Sequence, residues 1–265
     1  MRRKDIGEAD RILTLLTPGR GKLRAIAKGI RKPRSRKAGH LELFTRAKLL
    51  LATGRDLDII TQAEVVDAYR PVREELLRGA YAAYMIELLD RLTPDEQENP
   101  ELYDLLRQAL TWAATAADLA LAARYYELHL LSVAGYQPQL RQCVICGQNL
   151  LAEDQFFSPA EGGVVCPRCA AGRLGGTGNA GWMPLSLAGL KLLRYVQANT
   201  FARVAALNVG ARTQNEVEFL LARYITLILE RQLKSVEFLK LIRRTETKPA
   251  SAEGAGAVPA RLETT

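Results

Sequence analysis

The run Arg11-Ile12-Leu13-Thr14-Leu15-Leu16-Thr17, the tetrapeptide Pro18-Gly19-Arg20-Gly21 and the run Lys22-Leu23-Arg24-Ala25-Ile26-Ala27-Lys28 decide how the first 70 residues read. The first run is apolar and β-tolerant, and the tetrapeptide is a strong turn signal. The last run alternates charged with apolar side chains for most of its length, the period of a half-buried strand. Outward from this hairpin, Gly29 to Gly39 forms a basic loop. Leu43 to Thr53 and Leu57 to Val66 then read as two further strands around a turn at Gly54-Arg55-Asp56. Four short strands with tight turns predict a small barrel or curled sheet that ends at Tyr69-Arg70-Pro71.

Charge singles out the same segment. The chain of 265 residues carries a net charge of +8. Residues 1–40 hold thirteen Lys and Arg against Asp5, Glu8 and Asp10, and the remainder holds 24 basic and 26 acidic groups. A segregated basic block implies a binding face. Between Lys28 and Lys37 six of ten residues are cationic, namely Lys28, Arg31, Lys32, Arg34, Arg36 and Lys37, with Arg20, Lys22 and Arg24 flanking them. A polyanion relieves their mutual repulsion through counterion release. A solvated loop that only aids solubility is the competing reading. DNA and RNA are not distinguished by charge. Only Phe44 and Tyr69 are aromatic in the first 70 residues, so no stacking platform for single strands is evident.

From Val72 the period changes to that of helices. Leu76, Leu77, Ala80, Tyr81, Tyr84, Met85, Leu88 and Leu89 fall on one face, and Thr93 to Pro100 breaks the pattern. Further helices are expected at about 101–115, 118–134 and 187–197, with a long one from Asn215. Thr213 and Glu216 have capping-box spacing for that last helix. Its Leu220, Leu221, Ile225 and Leu229 beside Arg223, Arg231, Lys234 and Lys240 could be ordinary core and solvated face, or an apolar pocket with a cationic rim. Gly172 to Gly181 reads as a linker, and the tail at 245–265 lacks the apolar surface to pack and is expected to be disordered.

All four cysteines lie in one segment: Cys143-x2-Cys146, nineteen residues, Cys166-x2-Cys169. Two such turns close a tetrahedral shell of four thiolates, the arrangement of one structural zinc with no position left for a catalytic water. Phe156-Phe157-Ser158 and Gly163-Val164-Val165 can form a hairpin between them. No phosphate-binding loop, no dinucleotide fingerprint and no carboxylate pair outside polar, solvated stretches is found, so a binding protein is expected rather than an enzyme. No apolar run is long enough for a membrane span and no secretory signal opens the chain, which predicts a cytoplasmic location.

These features together resemble the DNA repair protein RecO family. The resemblance is carried by Gly7-Glu8-Ala9-Asp10-Arg11-Ile12-Leu13-Thr14-Leu15-Leu16-Thr17, Gly21-Lys22-Leu23, Ala27-Lys28-Gly29-Ile30-Arg31-Lys32 and Ser35-Arg36. It continues at Phe44, Thr61-Gln62-Ala63-Glu64, the cysteine pairs, Phe157-Ser158-Pro159 and Gly162-Gly163, spanning roughly residues 5–242. It implies an α+β multidomain chain: an N-terminal OB-fold-like barrel at 1–70, an all-helical body at 71–140 and 182–244, and a four-cysteine zinc finger with its glycine-rich loop inserted at 141–181. The function it implies is a nucleoid-associated recombination mediator that binds and anneals DNA, single- or double-stranded. Such a protein engages the C-terminal tail of single-stranded DNA-binding protein, and with RecR helps place RecA on gapped DNA. DNA contact is expected from Lys22, Arg24, Lys28, Arg31, Lys32, Arg34, Arg36 and Lys37. The alternative is a zinc-ribbon RNA-binding or ribosome-associated factor. The family begins with an apolar strand before the Gly-Glu-x-Asp run, and only six residues precede Gly7 here, so a barrel lacking most of that strand, or a start placed inside it, is expected.

Overall fold

The computed structural model describes residues 1–173 and 181–246. The chain begins with five strands: β1 (Arg2–Ile6), β2 (Asp10–Thr17), β3 (Gly21–Ala27), β4 (Arg46–Ala52) and β5 (Asp58–Asp67). They form one sheet in the order β1-β2-β3-β5-β4. Only the β3–β5 pair, through Ala25–Asp58 and Ile26–Ile59, is parallel. A first strand is therefore present, although all but Ile6 of its residues are charged and it is exposed along its whole length. It pairs with β2 from Arg2–Thr14 to Ile6–Asp10, so its place rests on backbone hydrogen bonds rather than on buried side chains. Among the described residues β1 and β4 end the sheet without pairing to each other, so the OB-like barrel is open along one seam. Its core is Leu13, Leu23, Ala25, Ala27, Ile30, Leu41 and Ile60. The strand expected from Leu43 starts only at Arg46, because Phe44 takes a left-handed backbone (φ 60°).

The helical body opens with α1 (Arg70–Glu74), α2 (Leu76–Leu92), α3 (Pro100–Thr115) and α4 (Leu119–Val133). Asn99 caps α3 and Asp118 caps α4, each accepting from the amide three residues on (3.1 and 2.8 Å). The cysteine segment then inserts β6 (Gln155–Ser158), β7 (Gly163–Val165) and α5 (Pro167–Arg173). After it come β8 (Met183–Leu185), which pairs with β6, and α6 (Leu187–Ala198), α7 (Phe201–Ala205), α8 (Ala211–Leu229) and α9 (Lys234–Glu246). One apolar core unites α2, α3, α4, α6, α8 and α9 with Phe157 and Val164 of the β6–β7 hairpin.

Several expectations change here. The long last helix is two helices, broken where Glu230 turns left-handed (φ 53°). The expected capping box does not form, because α8 starts at Ala211 behind Gly210. Glu216 instead accepts from both the amide and the hydroxyl of Ser186 (2.5 and 2.6 Å), and so steadies the start of α6. Leu220, Leu221, Ile225 and Leu229 are all buried, so these side chains are core and no docking groove is made of them. Residues 174–180 of the expected glycine-rich linker, and 247–265 of the expected disordered tail, lie outside the described residues.

Candidate metal centre and nucleic-acid face

The metal centre is built by two turns. In the first, the Cys143 carbonyl accepts from Gly147 N (2.9 Å), and Gly147 takes the left-handed conformation (φ 71°) that lets Cys146 fold back beside Cys143. In the second, Cys166 directly follows β7 and Cys169 sits in the first turn of α5, with Ala170 N bonded to the Cys166 carbonyl (3.0 Å). The β6–β7 hairpin, paired from Phe156–Val165 to Ser158–Gly163, carries the second turn back to the first. Val144 N donates to Val164 O at 2.9 Å and ties the two together.

All four sulfurs lie within 4.8 Å of one another. The Cys146–Cys166 Sγ separation is 3.9 Å, close to the ~3.8 Å edge of a tetrahedron with metal–sulfur bonds of about 2.3 Å. Burial raises the Cys143 thiol, but amide groups of Cys166, Cys146 and Ile145 aimed at its sulfur outweigh that and bring it down to about 6. Burial and the neighbouring thiols push Cys169 up to about 12. Four thiols this close cannot all ionise together unless a cation shares the site, so the donor set fits a metal ion with a closed sulfur shell.

The basic residues divide into two groups. Arg24, Lys28, Arg31, Lys32, Arg34 and Arg36 are exposed, the last five on the loop after β3. Arg31 is partly engaged with Asp5 (3.6 Å) and the Gly7 carbonyl (3.3 Å). Lys37 is half-buried, and its ammonium donates to Ile60 O at 2.8 Å.

Lys22 does not belong to the exposed group, contrary to expectation. Its side chain is 6% exposed and faces the helical body. There its ammonium donates to the carbonyls of Asp90 and Thr93 (2.8 Å each) and pairs with Asp90 (3.3 Å) and Asp95 (3.1 Å). Arg2 completes the cluster on Asp90 at 2.9 Å. A buried ammonium needs such partners, and these leave it none for phosphate. The sequence signal was faint: Lys22 and Arg24 look alike on one strand, and only the end of α2 and the loop after it decide between them.

Comparison with known proteins agrees with this layout. The family model "Recombination protein O N terminal" matches residues 1–69, and "Recombination protein O C terminal" matches residues 73–237. A "DNA repair protein RecO" of Roseiflexus sp. (strain RS-1) is 43% identical over 254 residues, covering 95% of this chain and 87% of its own. One of Pelotomaculum thermopropionicum is 38% identical, covering 90% of each chain. One of Dehalococcoides mccartyi (strain 195) is 35% identical, covering 92% of this chain and 94% of its own. With both halves matched and the relatives aligned along nearly their full length, the chain belongs to the RecO family and has a role in DNA repair and recombination.

Proposed function

We propose that the protein is a recombination mediator that binds and anneals DNA, performs no catalysis, and with RecR helps load RecA on gapped DNA. The observation that carries the reading is the row of exposed cations, Arg24, Lys28, Arg31, Lys32, Arg34 and Arg36, on and beside one loop of an OB-like sheet in a RecO family member. Counterion release from the phosphate backbone supplies the affinity, and such contacts grip single and double strands alike. Lys37 adds charge behind them. In this reading residues 1–70 are the DNA-binding domain, 71–140 with 182–244 the helical body, and 141–181 the inserted finger. The body offers a scaffold for protein partners, among them RecR and the tail of single-stranded DNA-binding protein, and the protein works in the cytoplasm at the nucleoid. The metal is one structural zinc held by Cys143, Cys146, Cys166 and Cys169, since a full sulfur shell leaves no open position for chemistry. The test is annealing of complementary strands coated with single-stranded DNA-binding protein. The protein accelerates it; no acceleration, or degradation of the strands, overturns the reading.

A further inference from the structure

The open seam of the barrel is not empty of design. A cavity of about 310 Å³ runs from the barrel interior, at Leu13 and Leu49, to Ile86 and Leu106 of the helical body. That volume lies at the lower end of the range of small-ligand sites. The two aromatic residues of the first 70 both line it, joined by Tyr103 of α3. Both of the pair also hold left-handed backbones, Phe44 at φ 60° and Tyr69 at φ 41°. Bulky residues adopt that conformation only where the surroundings impose it, and such positions gather at ligand clamps. Directly after Phe44, Thr45 Oγ1 and Arg46 Nε are buried and find no hydrogen-bond partner among the described residues. Leaving a buried donor unmade is unfavourable, and two adjacent ones beside a cavity mark where a ligand supplies acceptors.

The ligand must therefore be flat or apolar in body, rich in acceptors and joined to negative charge. We propose that the cavity takes an unstacked nucleobase of single-stranded DNA, with Phe44 and Tyr103 beside the ring and with Thr45 and Arg46 turning their buried donors toward its carbonyl oxygens. Arg107, which also lines the cavity and is paired with Asp104 at 3.1 Å, exchanges that partner for the flanking phosphate. The basic loop runs through Lys37 directly into the lining at His40 to Ala47, so a strand held by the loop is delivered to the cavity. This reading rests on the DNA-binding function proposed above and adds a base-sensing element that phosphate contacts lack.

The test compares a thymidine single strand with an abasic strand of equal length, so that phosphates are matched and bases are not. The full-length protein binds the thymidine strand about 10-fold more tightly, as expected of one base held against an aromatic side chain. Thr45→Val, which keeps the shape and removes the donor, and Phe44→Gly, which suits the left-handed backbone and removes the ring, both reduce that preference while leaving the affinity for the abasic strand unchanged. Equal binding of the two strands by the unaltered protein overturns the base site and leaves the phosphate reading standing. If an acidic peptide with an apolar tip competes for the cavity while the two strands bind alike, the site belongs to a protein partner and the inference is wrong. Failure of both strands to bind removes the DNA reading itself.

Discussion

At the scale of single residues, Lys22 and Arg24 show how one strand serves two purposes. They stand two apart on β3 and point to the same side of the sheet, but the helical body covers only the end that holds Lys22. Gly21 beside it, at φ 60°, comes so close to the α2–α3 loop that an added Cβ would lie 1.9 Å from the Gln97 carbonyl oxygen. The β2–β3 turn is thus a joint between barrel and body. Lys22→Met leaves Asp90 and the two carbonyls short of a partner in a buried site, and should lower stability by about 3 kcal/mol, the scale of breaking a buried ion pair. Denaturant unfolding measures that loss. The salt dependence of DNA binding should not move; a reduced slope at unchanged stability would make Lys22 a phosphate contact after all.

Among the elements, α9 is fastened at both ends by side chains. Glu87 of α2 accepts from Lys234 N (3.2 Å) and Ser235 N (2.8 Å), closing the open amides at its start. Near its end Arg243 donates from Nη1 to both carboxylate oxygens of Glu218 (2.7 and 2.9 Å) and from its other nitrogens to the Tyr81 hydroxyl. Burial raises the Glu87 carboxyl, but the hydrogen bonds from Ser235 and Lys234 outweigh it and hold the group below its ordinary value of 4.5. A carboxyl lowered on folding stabilises the protein above its unfolded value and loses that contribution as pH falls through the folded one. Docking of α9 should therefore weaken below about pH 4.5, seen as reduced amide protection in 234–246 relative to the intrinsic exchange rate at each pH. Glu87→Gln should bring a similar loosening at neutral pH, about 1–2 kcal/mol, and remove the acid dependence. Protection of α9 that is the same in both proteins and at both pH values would show the cap to be unimportant.

For the whole molecule, metal and DNA should act on separate parts. The cysteine cluster packs with Val165, Ala170 and Trp182 as its own small core, while Phe157 and Val164 on the same hairpin belong to the main one. Metal removal by a chelator, or Cys143→Ser, should lower thermal stability through the β6–β7 hairpin, and elemental analysis of the purified protein should find about one zinc. Zinc-free protein of unchanged stability would speak against a structural ion. The salt dependence belongs to the other end. With about five phosphates contacted, log affinity for single strands should fall with log salt at a slope of about −3.5, each contact adding about −0.7. Replacing Lys32, Arg34 and Arg36 together by Gln should flatten the slope to about −1.4. An unchanged slope would make the loop a solvated bystander.

The repeating patterns alone were enough for the β2–β3 hairpin, the period change at Val72, the paired cysteines and the basic block, because each is a local signal: alternation, 3.6-residue spacing, ligand spacing, charge. What needed the tertiary structure was every choice between equivalent local options. Polar β1 carries no alternation that would announce a strand, and is one because β2 offers it a ladder. Glu216 had the spacing to cap its own helix and instead holds Ser186, the residue that caps α6, which the fold brings to it across 30 residues. Lys22 differs from Arg24 only by what covers it. Phe44 and Tyr69, 25 positions apart and too few to suggest an aromatic platform, meet Tyr103 at one cavity because the barrel stays open where the helices approach. Burial and long-range contact are properties of the folded chain, and no window of sequence contains them.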